Sequence, residues 1–442
     1  ASKEIDSIKD AGVVGAGGAG FPTHVKLDAK IENLIVNAAE CEPLIDVDKQ
    51  LLEKEFATVL EGLKIAANLT GAKRVIIALK AKYKKAIAAI ESYQKKGFDF
   101  ELCKMGNFYP AGDEQTMVYE ATGRIVPEGG IPLMVGCVVI NVETLLNVAQ
   151  AVKGIKVTQK YVTLNGEVAN PTTIKVPVGT PVKLLLDYVG GITADEYAVY
   201  DGGPMMGKLI DQDSYAVKKT TKSIMVLPAD NIVTVQKNRS ASGQIKRGQA
   251  ACLSCRMCTD LCPRYLLGHD LFPDEMMKRL YKGELNEQDI ENFDYAYLCC
   301  DCGLCELYAC IVDLSPRAIF NHLKVELAKR GIKNPHQRKD LEANEFKAYR
   351  KIPVSRLRQR LEIDHYPETE LVDFTGKVEQ VKLYFSQHVG APSSPVVKVG
   401  DLVSEGGLVA DIPQGKLGAR IHSSISGKVL NITSDYVEIG KG

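Results

Sequence analysis

Net charge is the first thing this 442-residue chain lacks, since 55 Lys and Arg balance 55 Asp and Glu. A nucleic-acid partner would need a basic footprint, and local runs such as Lys80 to Lys85 read instead as a solvated helix face. Long apolar runs are missing as well. The best, "IPLMVGCVVI" at 131–140, falls short of the roughly 18 to 20 residues that cross a bilayer, and suits a buried strand. The opening "ASKEIDSIKD" is polar and has no signal-peptide core. These absences set the expectation of a bacterial-type cytoplasmic protein with no transmembrane segment and no nucleic-acid partner. Cysteine is sparse over most of the chain: Cys41, Cys103 and Cys137 stand alone, while nine lie between Cys252 and Cys310. In a large cytosolic chain that clustering argues for metal rather than a disulfide framework.

The chain is too long for one ordinary domain, and its pattern changes along its length. The first part alternates short β-branched runs, "ENLIVNAAE" at 32–40, "AKRVIIALK" at 72–80 and "VGCVVINVE" at 135–143, with an amphipathic helix that spans 47–70 and stops at Gly71. That alternation predicts an α/β domain with a largely parallel sheet over residues 1–156. Short strands with turns and one helix, at 182–188, predict a small β-grasp module over 157–230. The polar stretch 231–249 reads as a linker. Residues 250–345 are helical and cysteine-rich, with Ser315 as N-cap and Gly331 as stop of a helix. After a basic connector, regularly spaced strands and glycine turns make 346–442 a connector plus a small all-β sandwich or barrel.

The cysteines carry the sharpest chemistry. "CLSCRMCTDLCP" spaces Cys252, Cys255, Cys258 and Cys262 by two, two and three residues before Pro263, which is the bacterial ferredoxin run. Cys299, Cys302 and Cys305 repeat the two-and-two spacing, and Cys310 comes after them. In two-cluster ferredoxins the fourth cysteine of each run serves the other run's cluster. One [4Fe–4S] cluster is therefore expected on Cys252, Cys255, Cys258 and Cys310, and the other on Cys299, Cys302, Cys305 and Cys262. Cys300 is the spare, because counting it in place of Cys299 leaves a one-residue gap. Structural zinc also takes four cysteines, but usually from two separated C-x₂-C knuckles rather than three ligands run together twice.

"GVVGAGGAGF" offers Gly15, Gly17, Gly18 and Gly20, which let backbone N–H groups approach a phosphate or a flavin edge. It departs from the dinucleotide fingerprint, since no strand precedes it and Pro22 interrupts the helix after it. Three later segments sit at strand ends, where open α/β sheets bind ligands: "VNAAECEP" with Asn37, Glu40 and Glu42, "YPAGDEQ" with Gly112, Asp113 and Glu114, and "INVETLLNV" with Asn141, Glu143 and Thr144. With "GGPMMG" at 202–207 and "QHVGAP" at 387–392, these segments resemble the flavin-binding subunit of respiratory complex I. They resemble still more closely the Rnf electron-transport complex C subunit and the PduS-type cobalamin reductases. The cysteine runs precede the terminal β module here, as in the PduS type.

That resemblance implies a multidomain α/β protein with four parts: a complex-I-type FMN/NADH domain, a β-grasp module like the SLBB domain, a helical ferredoxin-like domain for two [4Fe–4S] clusters, and a C-terminal β barrel-sandwich hybrid. It implies FMN on Gly15, Gly17, Gly18, Gly20, Lys26, Asn37, Asn141 and Thr144, with Gly112 among the cofactor-binding residues. It also implies NADH bordered by Glu40, Glu42, Asp113 and Glu114. The terminal module resembles biotinyl and lipoyl domains, but the turn 423–427 lacks their modifiable lysine, and Lys428 reads as a strand residue. The implied activity runs from NADH through FMN and two clusters to cobalamin. The alternatives are an electron-input subunit feeding a partner reductase, for example one for methylenetetrahydrofolate, and a ferredoxin-like relay. The implied setting is a hetero-complex or the inside of a bacterial microcompartment.

Overall fold

The protein is described by a computed structural model over residues 2–94, 97–283 and 285–441. Its N-terminal module is a four-stranded sheet in the order Glu101–Met105, Arg74–Lys80, Asn33–Ala38, Cys137–Asn141, with every pairing parallel. Leu34, Ile35, Val36, Ile76, Ile77, Val138 and Val139 are buried, as strands covered on both faces must be. The chain order along the sheet reverses between Asn33–Ala38 and Cys137–Asn141, which sets a ligand crevice at the carboxyl ends of those two strands. Asn37 and Asn141 are register partners there.

The helix expected over 47–70 is two helices, Val47–Lys54 and Phe56–Thr70, separated at Glu55 with φ −124° and ψ 18°. The first helix is aimed by buried polar residues that reach other modules: Asp48 meets Lys222, and Gln50 accepts from the Leu371 amide at 3.0 Å. The second packs along Val142–Val152 and ends on Gly71, which is left-handed with φ 63°. Two further expectations change. Lys80 is not solvated but buried at a strand end, with its pKa lowered by that burial to about 8. In the apolar run 131–140 only Cys137–Ile140 is buried strand, while Ile131, Leu133 and Met134 are exposed around a 3₁₀ turn.

The β-grasp module is a six-stranded sheet whose edge strand, Leu371–Val372, is lent by the connector. Its helix, Val182–Tyr188, buries Val182, Leu185 and Leu186 against Val162, Leu164, Ile174 and Ile224. The segment expected to be a linker is helical, Ile232–Asn238 and Ala241–Ala251. Several of its polar residues are not solvated: buried Asn231 caps the first helix, and the buried Gln236 amide donates to the Asp313 carbonyl at 2.6 Å, while exposed Ser240 caps the second helix. Ser315 caps Pro316–Lys329 in the cysteine-rich module, and Gly331 closes it in the left-handed region. The terminal module is a four-stranded and a three-stranded sheet, and Lys428 lies in the strand Gly427–Ile432.

The modules share cores. One apolar cluster joins Ile35 and Ile76 of the parallel sheet to Met205 of the β-grasp module, to Leu261 and Leu304 of the cysteine-rich module and to Leu357 of the connector. Among the described residues no helix is long and apolar enough to cross a membrane.

Candidate functional site

The glycine-rich segment is a closed loop. Val14 bridges Pro22, the Gly15 amide donates to the Phe21 carbonyl at 3.0 Å, and Gly17 and Gly18 are exposed at the tip. The loop sits over the crevice. The Ala16 amide donates to Thr144 Oγ1 at 3.0 Å, and a Cβ on Gly17 would lie 2.8 Å from Asn141 Nδ2 and 3.2 Å from Lys222 Nζ. Asn141 caps Val142–Val152, accepting from the Glu143 and Thr144 amides, so the polar start of that helix lies under the loop. Lys26 Nζ donates to Glu114 Oε1 at 2.9 Å and to the Val139 carbonyl at 2.7 Å. Asn37 Nδ2 donates to the Gly112 carbonyl at 2.9 Å, and a Cβ on Gly112 would stand 2.8 Å from the Ala39 carbonyl. The structure thus gathers Gly15, Gly17, Gly18, Lys26, Asn37, Gly112, Glu114, Asn141 and Thr144 at the switch point. Gly20 lies beside them, wedged between Thr220 and Gln387.

Of the acids expected to border the nicotinamide, two hold modules together. The Glu42 carboxylate accepts the Met205 amide at 3.0 Å and the Met206 amide at 2.5 Å. Gly203 lies so close that a Cβ there would strike Glu42 Oε2, which explains that glycine of "GGPMMG". Burial pushes Glu42 up to about 7, against the pull of those amides. Asp113 caps Glu114–Thr122 and takes two N–H bonds from Arg264, at 2.6 and 2.9 Å. Burial raises its pKa, but Arg264 and Thr116 outweigh burial and hold it below the usual carboxylate range. Glu40 accepts the Glu42 amide at 2.9 Å and lies 3.7 Å from Lys222; burial raises its pKa.

The nine clustered cysteines line two cavities. Cys252, Cys255, Cys258 and Cys310 line one, with Leu253 and Ile311. Cys262, Cys299, Cys300, Cys302 and Cys305 line the other, with Arg317 and Phe320. Each cavity therefore takes the closing cysteine of the other run. The backbone separates Cys299 from Cys300. Cys252 has φ −66° and ψ 121°, and Cys299 has φ −66° and ψ 123°. Left-handed residues come at the same offsets, Ser254 and Arg256 in one loop and Asp301 and Gly303 in the other. The Asp301 amide donates to Cys299 Sγ at 3.4 Å, and the Leu314 amide to Cys310 Sγ at 3.3 Å. Among the described residues no three Cys, His, Asp or Glu groups are gathered tightly enough to hold a single metal ion. A cubane spaces its four thiolates more widely than one ion does, and the all-sulfur donor sets suit it.

The second cavity leans on the N-terminal module. Tyr109 Oη donates to the Cys302 carbonyl at 2.6 Å, and Arg264, two residues beyond Cys262, grips Asp113. The first cavity faces outward, with residues 253–257 exposed and Ile311 69% exposed. Sequence reading missed Asp48 and Lys222. Asp48 lies in a helix start that reads as ordinary solvated charge, and Lys222 lies in a different module, so no spacing links either to the glycine loop.

Four family models match successive parts of the chain: the Nuo51 FMN-binding domain at residues 8–150, the SLBB domain at 161–209, the 4Fe-4S dicluster domain at 251–315 and the RnfC barrel sandwich hybrid domain at 365–442. They define a class of multidomain flavin and iron–sulfur protein with FMN and 4Fe-4S modules on one chain. The chain is 40% identical to the cobalamin reductase PduS of Salmonella typhimurium, covering 99% of this chain and 96% of that one. It is 39% identical to the cobalamin reductase PduS of Citrobacter freundii with the same coverage. The chain belongs to the PduS cobalamin reductase family. A similar solved structure is a chain of an NAD⁺-reducing [NiFe]-hydrogenase, at 22% identity and a TM-score of 0.50. The match covers 78% of this chain and 65% of the hydrogenase chain's length.

Proposed function

We propose that this protein is an NADH-dependent cobalamin reductase, an oxidoreductase that passes electrons from a nicotinamide through FMN and two [4Fe–4S] clusters to a corrinoid. FMN suits this task because it takes two electrons together and gives them up singly. The observation that carries the reading is the pair of bonds, Tyr109 to Cys302 and Arg264 to Asp113, that fix the two chain segments lining the second cysteine cavity against the N-terminal module beside its ligand crevice. In this reading FMN rests on Gly15, Gly17, Gly18, Gly20, Lys26, Asn37, Gly112, Asn141 and Thr144. The eight ligands are Cys252, Cys255, Cys258 and Cys310, and Cys262, Cys299, Cys302 and Cys305. The inner loop is the side of electron entry, and the exposed loop around Cys255 is the side of exit. Glu40, Glu42, Asp113 and Glu114 are the acids that border NADH in this reading; Glu42 and Asp113 also hold Met205, Met206 and Arg264, and Glu114 also holds Lys26.

The test is an anaerobic NADH titration of the fully loaded protein, with subsequent addition of cob(III)alamin. Bleaching of the flavin and cluster absorbance, then corrinoid reduction faster than free FMN supports, is the expected result. Bleaching by dithionite but not by NADH would remove the nicotinamide from the scheme. A second reading, an electron-input subunit for a partner reductase, draws on the exposed apolar residues Leu253, Met257 and Ile311 around Cys255. A stoichiometric partner on purification, with no corrinoid activity, would favour it. A cytoplasmic location, residence in a microcompartment and membership of a hetero-complex are further parts of the proposal, tested by fractionation of cells that express the protein.

A further inference from the structure

The glycine loop touches more than its own module. A Cβ on Gly20 would lie 2.8 Å from Thr220 Cγ2 and 2.9 Å from the Gln387 carbonyl, so the β-grasp and terminal modules both press on it. Lys222 comes from the same β-grasp stretch as Thr220. Its ammonium is buried, lies under Gly17 beside Asn141, and is ion-paired with Asp48, with Glu40 a little farther at 3.7 Å.

The pair is incomplete on both sides. Asp48 Oδ2 accepts both from Lys222 and from Asn141 Nδ2, the latter at 2.9 Å. Asp48 Oδ1 is buried and has no donor, although an ionised carboxylate is an acceptor on both oxygens. Leaving such an oxygen unpaired in the interior is costly, so a donor is expected there. Lys222 has three N–H bonds to give, and its hydrogen bond among the described residues uses one, on Asp48. A ligand with both an acceptor and a donor satisfies the two together. FMN has both: phosphate and ring carbonyl oxygens accept, while the ribityl hydroxyls and the ring N3–H donate.

We propose that Lys222 and Asp48, one from each module, form the polar floor of the flavin site, Lys222 donating to an FMN oxygen and Asp48 Oδ1 accepting from an FMN hydroxyl or N–H. The β-grasp module is then a working wall of the flavin site rather than a spacer. This rests on FMN occupying the crevice, so the wild-type chain is the control: if it fails to bind FMN, that premise fails and not the role of Lys222.

The experiment measures FMN and riboflavin dissociation constants and the flavin midpoint potential on the full chain with its clusters in place. It compares wild type, Lys222→Met and Lys222→Met/Asp48→Asn. The double change removes both charges, so it keeps a folded protein where the single change leaves a buried carboxylate unpaired. The expected result is FMN binding weakened at least tenfold in a variant whose circular dichroism and iron content match wild type. If riboflavin binding is unaffected, Lys222 meets the phosphate. If riboflavin weakens equally and the potential falls, Lys222 meets the ring. Unchanged FMN affinity and unchanged potential in the folded double variant overturn the proposal and leave the pair as a module clasp.

Discussion

At the scale of single residues, the spare cysteine shows how far spacing and geometry agree. Counting gaps singles out Cys299, and the left-handed residues Asp301 and Gly303 reproduce the offsets of Ser254 and Arg256 only when Cys299 is the counterpart of Cys252. Cys300 then occupies the place of Leu253. We expect Cys300→Ser to retain about eight irons per chain and Cys299→Ser to lose about half of them. Iron analysis with low-temperature electron paramagnetic resonance of the reduced protein checks this, and loss of half the iron from Cys300→Ser but not from Cys299→Ser would reverse the assignment. Asn37, Asn141 and the cysteines were legible because each sits in a local pattern, a strand end or a two-residue gap. Lys222, Asp48 and Lys80 were not, because burial of a charged side chain depends on what another part of the chain brings against it. Lys222 is matched by an acid 174 positions away. The positions of Glu42 and Asp113 near strand ends were legible but their protein partners were not, since the Met205 amide and the Arg264 guanidinium reach them from distant segments.

At the scale of elements, the misread segments have a common physical cause. Asn231, Gln236 and Gln244 make 231–249 look solvated, yet all three are buried, two of them capping or tying down helices. The break at Glu55 is likewise invisible in a continuous helical pattern. The helix pair beside it carries a prediction. Gly62 in Phe56–Thr70 touches the Leu145 carbonyl of Val142–Val152, and a Cβ there would collide with backbone. Alanine in place of glycine ordinarily gains about 1 kcal/mol in a helix interior. Overpacking costs about 1 to 3 kcal/mol, and here the obstacle is a main-chain carbonyl that cannot swing away. We expect Gly62→Ala to lower stability by about 1 kcal/mol or more, and to weaken FMN binding, because the displaced helix begins at Asn141 and carries Thr144. Thermal unfolding and flavin fluorescence titration measure the two effects. A stabilised variant with unchanged FMN affinity would mean that the helices separate freely.

At the scale of the whole molecule, one buried lysine joins three modules. Lys219 Nζ donates to the Gly12 carbonyl at 2.7 Å and to the Arg420 carbonyl at 2.6 Å, while its amide donates to Gln387 Oε1 at 2.8 Å. The N-terminal, β-grasp and terminal modules therefore meet on a side chain that is 2% exposed and has no ion pair among the described residues. Burial lowers its pKa to about 7. The ionisable neighbours it faces, His388 and His422, are themselves buried and held below the usual histidine range. His422 is pushed down to about 3 by burial first, then by the cations Lys219, Lys156 and Arg420. In the unfolded chain a lysine keeps its proton up to about pH 10.4. Between there and pH 7 the unfolded state binds the extra proton, so stability from this site falls as pH falls, by about 1.4 kcal/mol per unit. Below pH 7 both states are protonated and the difference is constant. Lys219→Met removes this titration and adds a fixed cost for two unpaired carbonyls. Urea unfolding of wild type and variant under anaerobic conditions, from pH 7 to pH 9.5, should give stability curves that converge as pH falls, or cross if the fixed cost is small. Parallel curves would mean that Lys219 stays charged at the junction, and that water reaches the place where the three modules meet.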